Sequence, residues 1–385
     1  MNDRQSWMWT RRKLLTAAAS LGSLRAQTAP SFTVAGKRPM ILHNEFPEDL
    51  EALPEYLDTW ITPYDSFFVR QHLPRPKVDP GTFQLQLSGM VNRPVSMSIA
   101  DLRKLPQYTV PATLECAGNG RGNVRPRVPG LQWTKGAIGN AEWRGPRVKD
   151  VLAAAGAAGG AAWINCNGAD NGMMKTPDFI RSIPMRKALH EASLIALDMN
   201  GAPAPELHGG PARLIVPGWD GASWVKWVSS IEVAAEPNSG FYMNPAYRQP
   251  KTPVAPGAGA KPEDLIVIEA MAVKAFFARP AQGAKLPRGP VKLTGAAWAG
   301  ENRVTSVEVS ADGGSTWKPA SLSRQNFPFA WRTWTYDWTP PRTGYFTLCC
   351  RASDSAGRMQ PIEAPWNPSG YLNNSIERLG VTVEA

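Results

Sequence analysis

Hydrophobic and polar positions along this chain fall mostly into short alternating runs, and few stretches repeat at the helical period of 3.6. Residues 83–87 alternate and residues 108–114 are rich in β-formers, so both predict strands. Residues 67–74, Phe-Phe-Val-Arg-Gln-His-Leu-Pro, predict a short strand with Arg70 and His72 on one face, because side chains two apart point the same way. Residues 162–166 read as a buried strand closed by the polar turn Asn167-Gly168-Ala169-Asp170-Asn171-Gly172. Residues 189–197 form another buried element, and 214–216 a further strand. Three short helices are expected: one over 47–53 with acids in its first turn, one starting behind Ser98 as N-cap, and one over 147–155 ended by Gly156. Beyond residues 249–263, which are rich in Pro, Gly and Ala, the pattern changes. Residues 291–298, 304–310, 315–322, 331–338 and 346–354 read as strands with no helix between them, and Asp312-Gly313-Gly314 is a hairpin signal. The fold class is therefore α+β. A mixed α/β domain over 30–248 is followed by a linker over 249–263 and a β-sandwich over 264–385. No internal repeat is visible.

Composition supports a folded chain. Of 385 residues, 43% are hydrophobic and 19% charged, enough to bury a large core and against disorder. The 36 prolines and 34 glycines fit a loop-rich β protein. Fifteen tryptophans are expected partly in the core and partly around a pocket. Near the N-terminus, Thr10-Arg11-Arg12-Lys13-Leu14-Leu15 precedes an apolar run too short to anchor in a bilayer. Residues 1–29 read as a twin-arginine signal, which implies a periplasmic protein exported folded, with a cofactor already loaded. No later segment reaches 18 apolar residues, so no stable membrane insertion is expected. Residues 1–26 hold five Lys/Arg and one Asp, so their removal lowers the formal charge from +10 to +6. That charge is diffuse, which argues against nucleic acid and suits an anionic substrate or an acidic redox partner.

The four cysteines, Cys116, Cys166, Cys349 and Cys350, form neither CxxC nor CxxCH, which excludes a c-type haem held by this chain. Cys349 and Cys350 read as a packing pair and Cys166 as a buried strand residue. Cys116 is different. The β-rich run delivers it into Ala117-Gly118-Asn119-Gly120, and Arg121 follows. Small residues leave space over the sulfur, and a nearby cation favours the thiolate, the form that binds metals. Asp170 sits on a turn beyond a strand end, a usual place for ligand contacts. Lys226 lies among apolar neighbours in Trp224-Val225-Lys226-Trp227-Val228. Taken alone, that setting favours snorkelling to the surface over gripping an anion.

With these residues in view, the chain resembles the sulfite oxidase family of molybdenum enzymes, most closely its bacterial periplasmic sulfite dehydrogenases. The resemblance runs through Phe67-Phe68-Val69-Arg70-x-His72-x-Pro74, Leu114-x-Cys116-Ala117-Gly118-Asn119-x-Arg121 and Gly130-Leu131-x-Trp133-x-x-Gly136-Ala137-Ile138. It continues in His208-Gly209-x-Pro211-x-Arg213, Gly221-Ala222-x-x-Val225-Lys226-Trp227 and Val309-Ser310-x-Asp312-Gly313-Gly314-x-Thr316-Trp317. It implies a first domain that binds Mo-molybdopterin and an immunoglobulin-like sandwich that serves dimerisation. Cys116 would be the protein ligand to molybdenum. Phe68, Arg70, His72, Asp170, His208, Arg213 and Lys226 would hold the cofactor. Arg70, Arg121, Trp133 and Tyr247 would line the substrate pocket, with Cys116 and Tyr247 catalytic.

The implied reaction is oxidation of sulfite to sulfate, with electrons leaving singly to a c-type cytochrome. The protein would act as a homodimer or beside a cytochrome subunit. The chain departs from the animal pattern where Gly120 and Ser223 replace arginines and where 327–331 lends the pocket no arginine. An alternative within the same fold is a sulfane dehydrogenase of the thiosulfate-oxidation system, which Ala117-Gly118-Asn119 disfavours. Nitrate reduction fits poorly without a haem or flavin module, and methionine sulfoxide reductases of the family lack the sandwich. A cofactor-free exported binding protein is the reading from another class.

Overall fold

The structure, a computed structural model, describes residues 34–385. The expected signal segment lies outside the described residues. Among them, no helix is long and apolar enough to cross a membrane.

The first half is built on two sheets. A five-stranded sheet runs in the order Val95–Ser98, Gln84–Gly89, Val228–Ala234, Trp163–Gly168, Arg181–Pro184. The pairing of Val228–Ala234 with Gln84–Gly89 is parallel and its other pairings are antiparallel. The second sheet centres on Tyr108–Glu115 against Ile138–Gly145, in a register that places Leu114 opposite Gly139. Gly139 is needed there, because a Cβ would come within 2.5 Å of the buried Phe67 ring. Helix Ile99–Lys104 has the expected cap: Ser98 Oγ accepts from Asp101 N–H, and the Asp101 carboxylate accepts from Ser98 N–H. Helix Val148–Ala155 ends at Gly156 and buries Val148, Val151, Leu152 and Ala155.

The second half is a sandwich of a four-stranded and a five-stranded sheet. Strands Val291–Trp298 and Val304–Ser310 lie where the alternation places them. The expected strand over 315–322 is split into Lys318–Pro319 and Ser321–Leu322. Strands Lys274–Arg279 and Glu377–Glu384 were not anticipated. Cys349 and Cys350 are buried free thiols, as is Cys166.

Three regions differ from expectation. No helix forms over 47–53; instead Asp49–Glu51 is a buried strand paired with Ile41–Asn44. Residues 67–74 do not form a strand: apart from an isolated bridge between Leu50 and Val69, the segment is irregular. The connecting stretch 249–263 begins in a strand, because Arg248–Pro250 pairs antiparallel with Leu265–Val267.

The two halves share apolar surface. One cluster joins Leu50, Ile138 and Leu207 of the first half to Phe276, Trp298 and Trp331 of the sandwich.

Candidate active site

Strand Tyr108–Glu115 ends where its partner Ile138–Gly145 begins, and that edge fixes the next residue. Cys116 N–H donates to Ala137 O at 2.9 Å, and Cys116 O accepts from Asn119 N–H at 2.8 Å. Gly120 takes φ +91, a left-handed value that favours glycine. The turn leaves Cys116 in the wall of a cavity. Burial pushes the thiol pKa up, while Arg70, the Gly118 N–H and Arg121 pull it back down.

Eight further residues named from the sequence meet at this cavity, although they are spread over 180 positions: Phe68, Arg70, His72, Asp170, His208, Arg213, Lys226 and Tyr247. Arg70 is held by Asp49, 3.3 Å from its Nη1, and by the carbonyl of Gln71. The same Asp49 oxygen accepts Gln71 N–H at 3.0 Å. His72 stacks on Phe179 with ring centroids 4.3 Å apart, and its Nε2 lies 2.5 Å from the Tyr247 hydroxyl. Burial, with Arg70 and Lys226 nearby, pushes the His72 pKa well down, so the ring is neutral. Tyr247 adopts φ +54, and its pKa is pushed well up by burial.

On the far side, His208 ends the turn Glu206–His208. Lys37 Nζ donates to its Nε2 at 2.7 Å and to Phe67 O at 2.8 Å. Burial and this cation keep His208 neutral. Arg213 Nη1 donates to His208 O at 2.9 Å, while its Nε is buried with no partner. Lys226 does not snorkel. Its Nζ sits 4.2 Å from the Trp227 ring centroid, buried and without a hydrogen-bond partner. Gly209 makes room for it, since a Cβ there would meet Lys226 atoms at 2.8–2.9 Å. Burial lowers the Lys226 pKa to about 7 and raises that of Asp170, which faces it.

Two expected pocket residues do not line the cavity. Trp133 is fully buried against His43, ring centroids 4.5 Å apart. The Glu51 carboxylate gathers the N–H groups of Thr134, Lys135 and Gly136 and draws this segment inward. Arg121 turns to the carbonyls of Ser369 and Leu131, at 2.8 and 3.1 Å, and lies over the Tyr371 ring. Three glycines give it space: a Cβ at Gly118, Gly130 or Gly370 would come within 2.9 Å of its side chain.

Sequence reasoning missed Asp49, Lys37, Phe179 and Tyr371. Tyr371 comes from the sandwich and stacks on Tyr247 at 5.2 Å, so the sandwich reaches the site there and not through 327–331. Its signal, a lone aromatic in a Pro-Ser-Gly-Tyr loop, is not distinctive.

The residues present fit a large anionic cofactor with a soft metal. Buried donors on Arg213 and Lys226 lack acceptors, and unpaired buried cations are costly unless a ligand supplies the charge. Among the described residues, no group of three or more His, Cys, Asp or Glu is placed to hold a metal. A metal beside Cys116 therefore needs most of its ligands from its own cofactor, and thiolate suits soft centres.

Fold and cavity together define a molybdopterin-dependent oxidoreductase. Residues 72–242 match the model of the oxidoreductase molybdopterin binding domain, and residues 266–384 that of the Mo-co oxidoreductase dimerisation domain. The mitochondrial sulfite oxidase of Mus musculus is 33% identical over 96% of this chain and 72% of its own length. The sulfite oxidase of Arabidopsis thaliana is 31% identical over 91% of this chain and 93% of its own. The chain spans 65% of the human mitochondrial enzyme. The sulfane dehydrogenase SoxCD of Paracoccus pantotrophus superposes with a TM-score of 0.77 at 26% identity, over 94% of this chain and 95% of that one. The chain belongs to the sulfite oxidase family, and its cofactor is Mo-molybdopterin.

Proposed function

We propose that the protein oxidises sulfite to sulfate at the Cys116 cavity and passes the electrons singly to an external c-type cytochrome. The observation that carries this reading is the placement of one cysteine in a cavity with Arg70 on one side and unpaired cations on the other. When bound, the cofactor supplies oxygen-atom transfer and takes up two electrons. Cys116 holds the metal. Arg213 and Lys226, with His208 and Asp170, hold the cofactor's anionic and polar groups. Arg70, fixed by Asp49, offers its remaining N–H groups to a small oxyanion. Tyr247 presents a hydroxyl whose proton stays on oxygen, hydrogen-bonded to the neutral His72 ring at Nε2. Phe179 and Trp224 exclude water from the wall. Turning sulfite and water into sulfate releases two protons with the two electrons.

The Arg11-Arg12 pair supports export to the periplasm, where such cytochromes reside. The match of 266–384 to a dimerisation domain supports a homodimer, and a cytochrome subunit is the alternative partner. The similarity to SoxCD over nearly the whole chain favours a second reading, oxidation of a sulfane sulfur in thiosulfate metabolism. Steady-state rates with sulfite and ferricyanide or cytochrome c separate the two: rapid, saturable reduction supports sulfite, and none with fully loaded protein rejects it. Cys116→Ser should keep the melting temperature within about 2 °C and lose all turnover; an active variant removes the ligand role.

A further inference from the structure

The cysteine loop is held from outside its own domain. Lys274 opens the sandwich strand Lys274–Arg279. Its Nζ donates to Glu115 Oε1 at 3.1 Å and to the main-chain oxygen of Asn119 at 3.2 Å. Trp298 Nε1–H donates to the other Glu115 oxygen at 2.8 Å, and Asn119 Nδ2 completes that carboxylate at 2.9 Å. Farther along the sandwich, Leu372 N–H donates to Ala117 O at 2.8 Å and Asn373 Nδ2 to Gly120 O at 2.9 Å. Sandwich donors thus take the carbonyls of residues 117, 119 and 120. Glu115, Asn119 and Lys274 are each less than a tenth exposed.

A turn of Ala, Gly, Asn and Gly has much backbone freedom to lose, about 1–2 kcal/mol per residue. A reacting group displaced by about 1 Å loses on the order of a hundredfold in rate. Local bonds alone leave the carbonyls of Ala117 and Asn119 to water and give that of Gly120 only Asn123 N–H, at 3.0 Å.

We propose that the sandwich is a working part of the site, with Lys274 and Asn373 as positioning residues that set where the Cys116 sulfur stands in the cavity. This rests on the reading of Cys116 as the working sulfur. Lys274 acts from behind, through Glu115 and Asn119, and Asn373 acts at the end of the turn. Neither touches the cavity. A second interdomain lysine provides the contrast. Lys135 Nζ donates to Phe277 O at 2.9 Å and pairs with Glu377, joining the halves without contacting the cysteine loop.

The test uses full-length protein in two forms. Cofactor-free protein is treated with iodoacetamide, and alkylation of Cys116 is followed by peptide mass spectrometry; the other three cysteines are buried and serve as internal standards. Loaded enzyme gives kcat and KM with sulfite. Lys274→Met and Asn373→Ala should each speed Cys116 alkylation about tenfold, the scale of one lost charged or buried hydrogen bond. Each should lower kcat with KM changed less than about twofold. Lys274→Arg, which reaches the same oxygens, should recover part of both. Lys135→Met should lower the melting temperature while leaving alkylation and kcat alone. The proposal is overturned if alkylation simply follows melting temperature across Lys274→Met and Lys135→Met, or if Asn373→Ala leaves it unmoved. If Lys274→Met does not fold, Asn373→Ala against Lys135→Met decides. The alkylation readout needs no substrate, so inactivity towards sulfite would count against the proposed reaction and not against the positioning role.

Discussion

Lys226 shows how a residue can cost the empty protein and serve the loaded one. Its ammonium is buried beside Trp227 with no acceptor, and burial brings its pKa from the usual 10.5 to about 7. The unfolded chain keeps that proton up to the ordinary lysine range, whereas the empty fold gives it up near 7. Between those values the unfolded state binds more protons, so the stability of cofactor-free protein rises with pH across the window. Below about pH 7 the full cost is present. Lys226→Met should therefore stabilise the cofactor-free protein by about 1–3 kcal/mol at neutral pH or below, with a gain that shrinks towards pH 10. The same variant should lose cofactor on gel filtration. Denaturant midpoints and molybdenum content check both halves, and a variant that retains the metal fully would show that Lys226 does not grip an anion.

At the level of elements, the short-range signals were readable and the long-range anchors were not. Ser98 announced its helix because a cap is a local bond, three residues long. Ser98→Ala should cost about 1 kcal/mol, seen as a lower denaturant midpoint with an unchanged slope. Asp49 and Glu51 looked like first-turn helix acids, yet their partners are Arg70 and Gln71, and Thr134 to Gly136, tens of residues away. No local pattern encodes such partners. The same contacts explain why 67–74 is irregular: Asp49 takes the Gln71 N–H that a strand neighbour would have used. Arg70 and His72 still both line the cavity, although no strand holds them on one face. Trp133 and Arg121 went the other way. Their motifs were legible, but their directions depend on Glu51 and on the loop around Ser369, which sequence spacing does not reveal. Strand Lys274–Arg279 was missed because its apolar run is continuous and does not alternate, the mark of a strand covered on both faces.

At the scale of the whole molecule, the two halves are joined more by contact than by covalent chain. They share the apolar cluster around Phe276, Trp298 and Trp331, and Tyr371 of one stacks on Tyr247 of the other. The chain that connects them leaves as Arg248–Pro250 and returns as its antiparallel partner Leu265–Val267, closed by Lys251 N–H on Asp264 O at 2.8 Å. Most residues between those strands face solvent. A protease that nicks the peptide between 252 and 261 would therefore cut a tether that bears no load. The two fragments should migrate together on a native gel, keep their metal and continue to turn over, and come apart only in denaturant. If they separate on nicking alone, the covalent bond, and not the packed interface, was holding the site together.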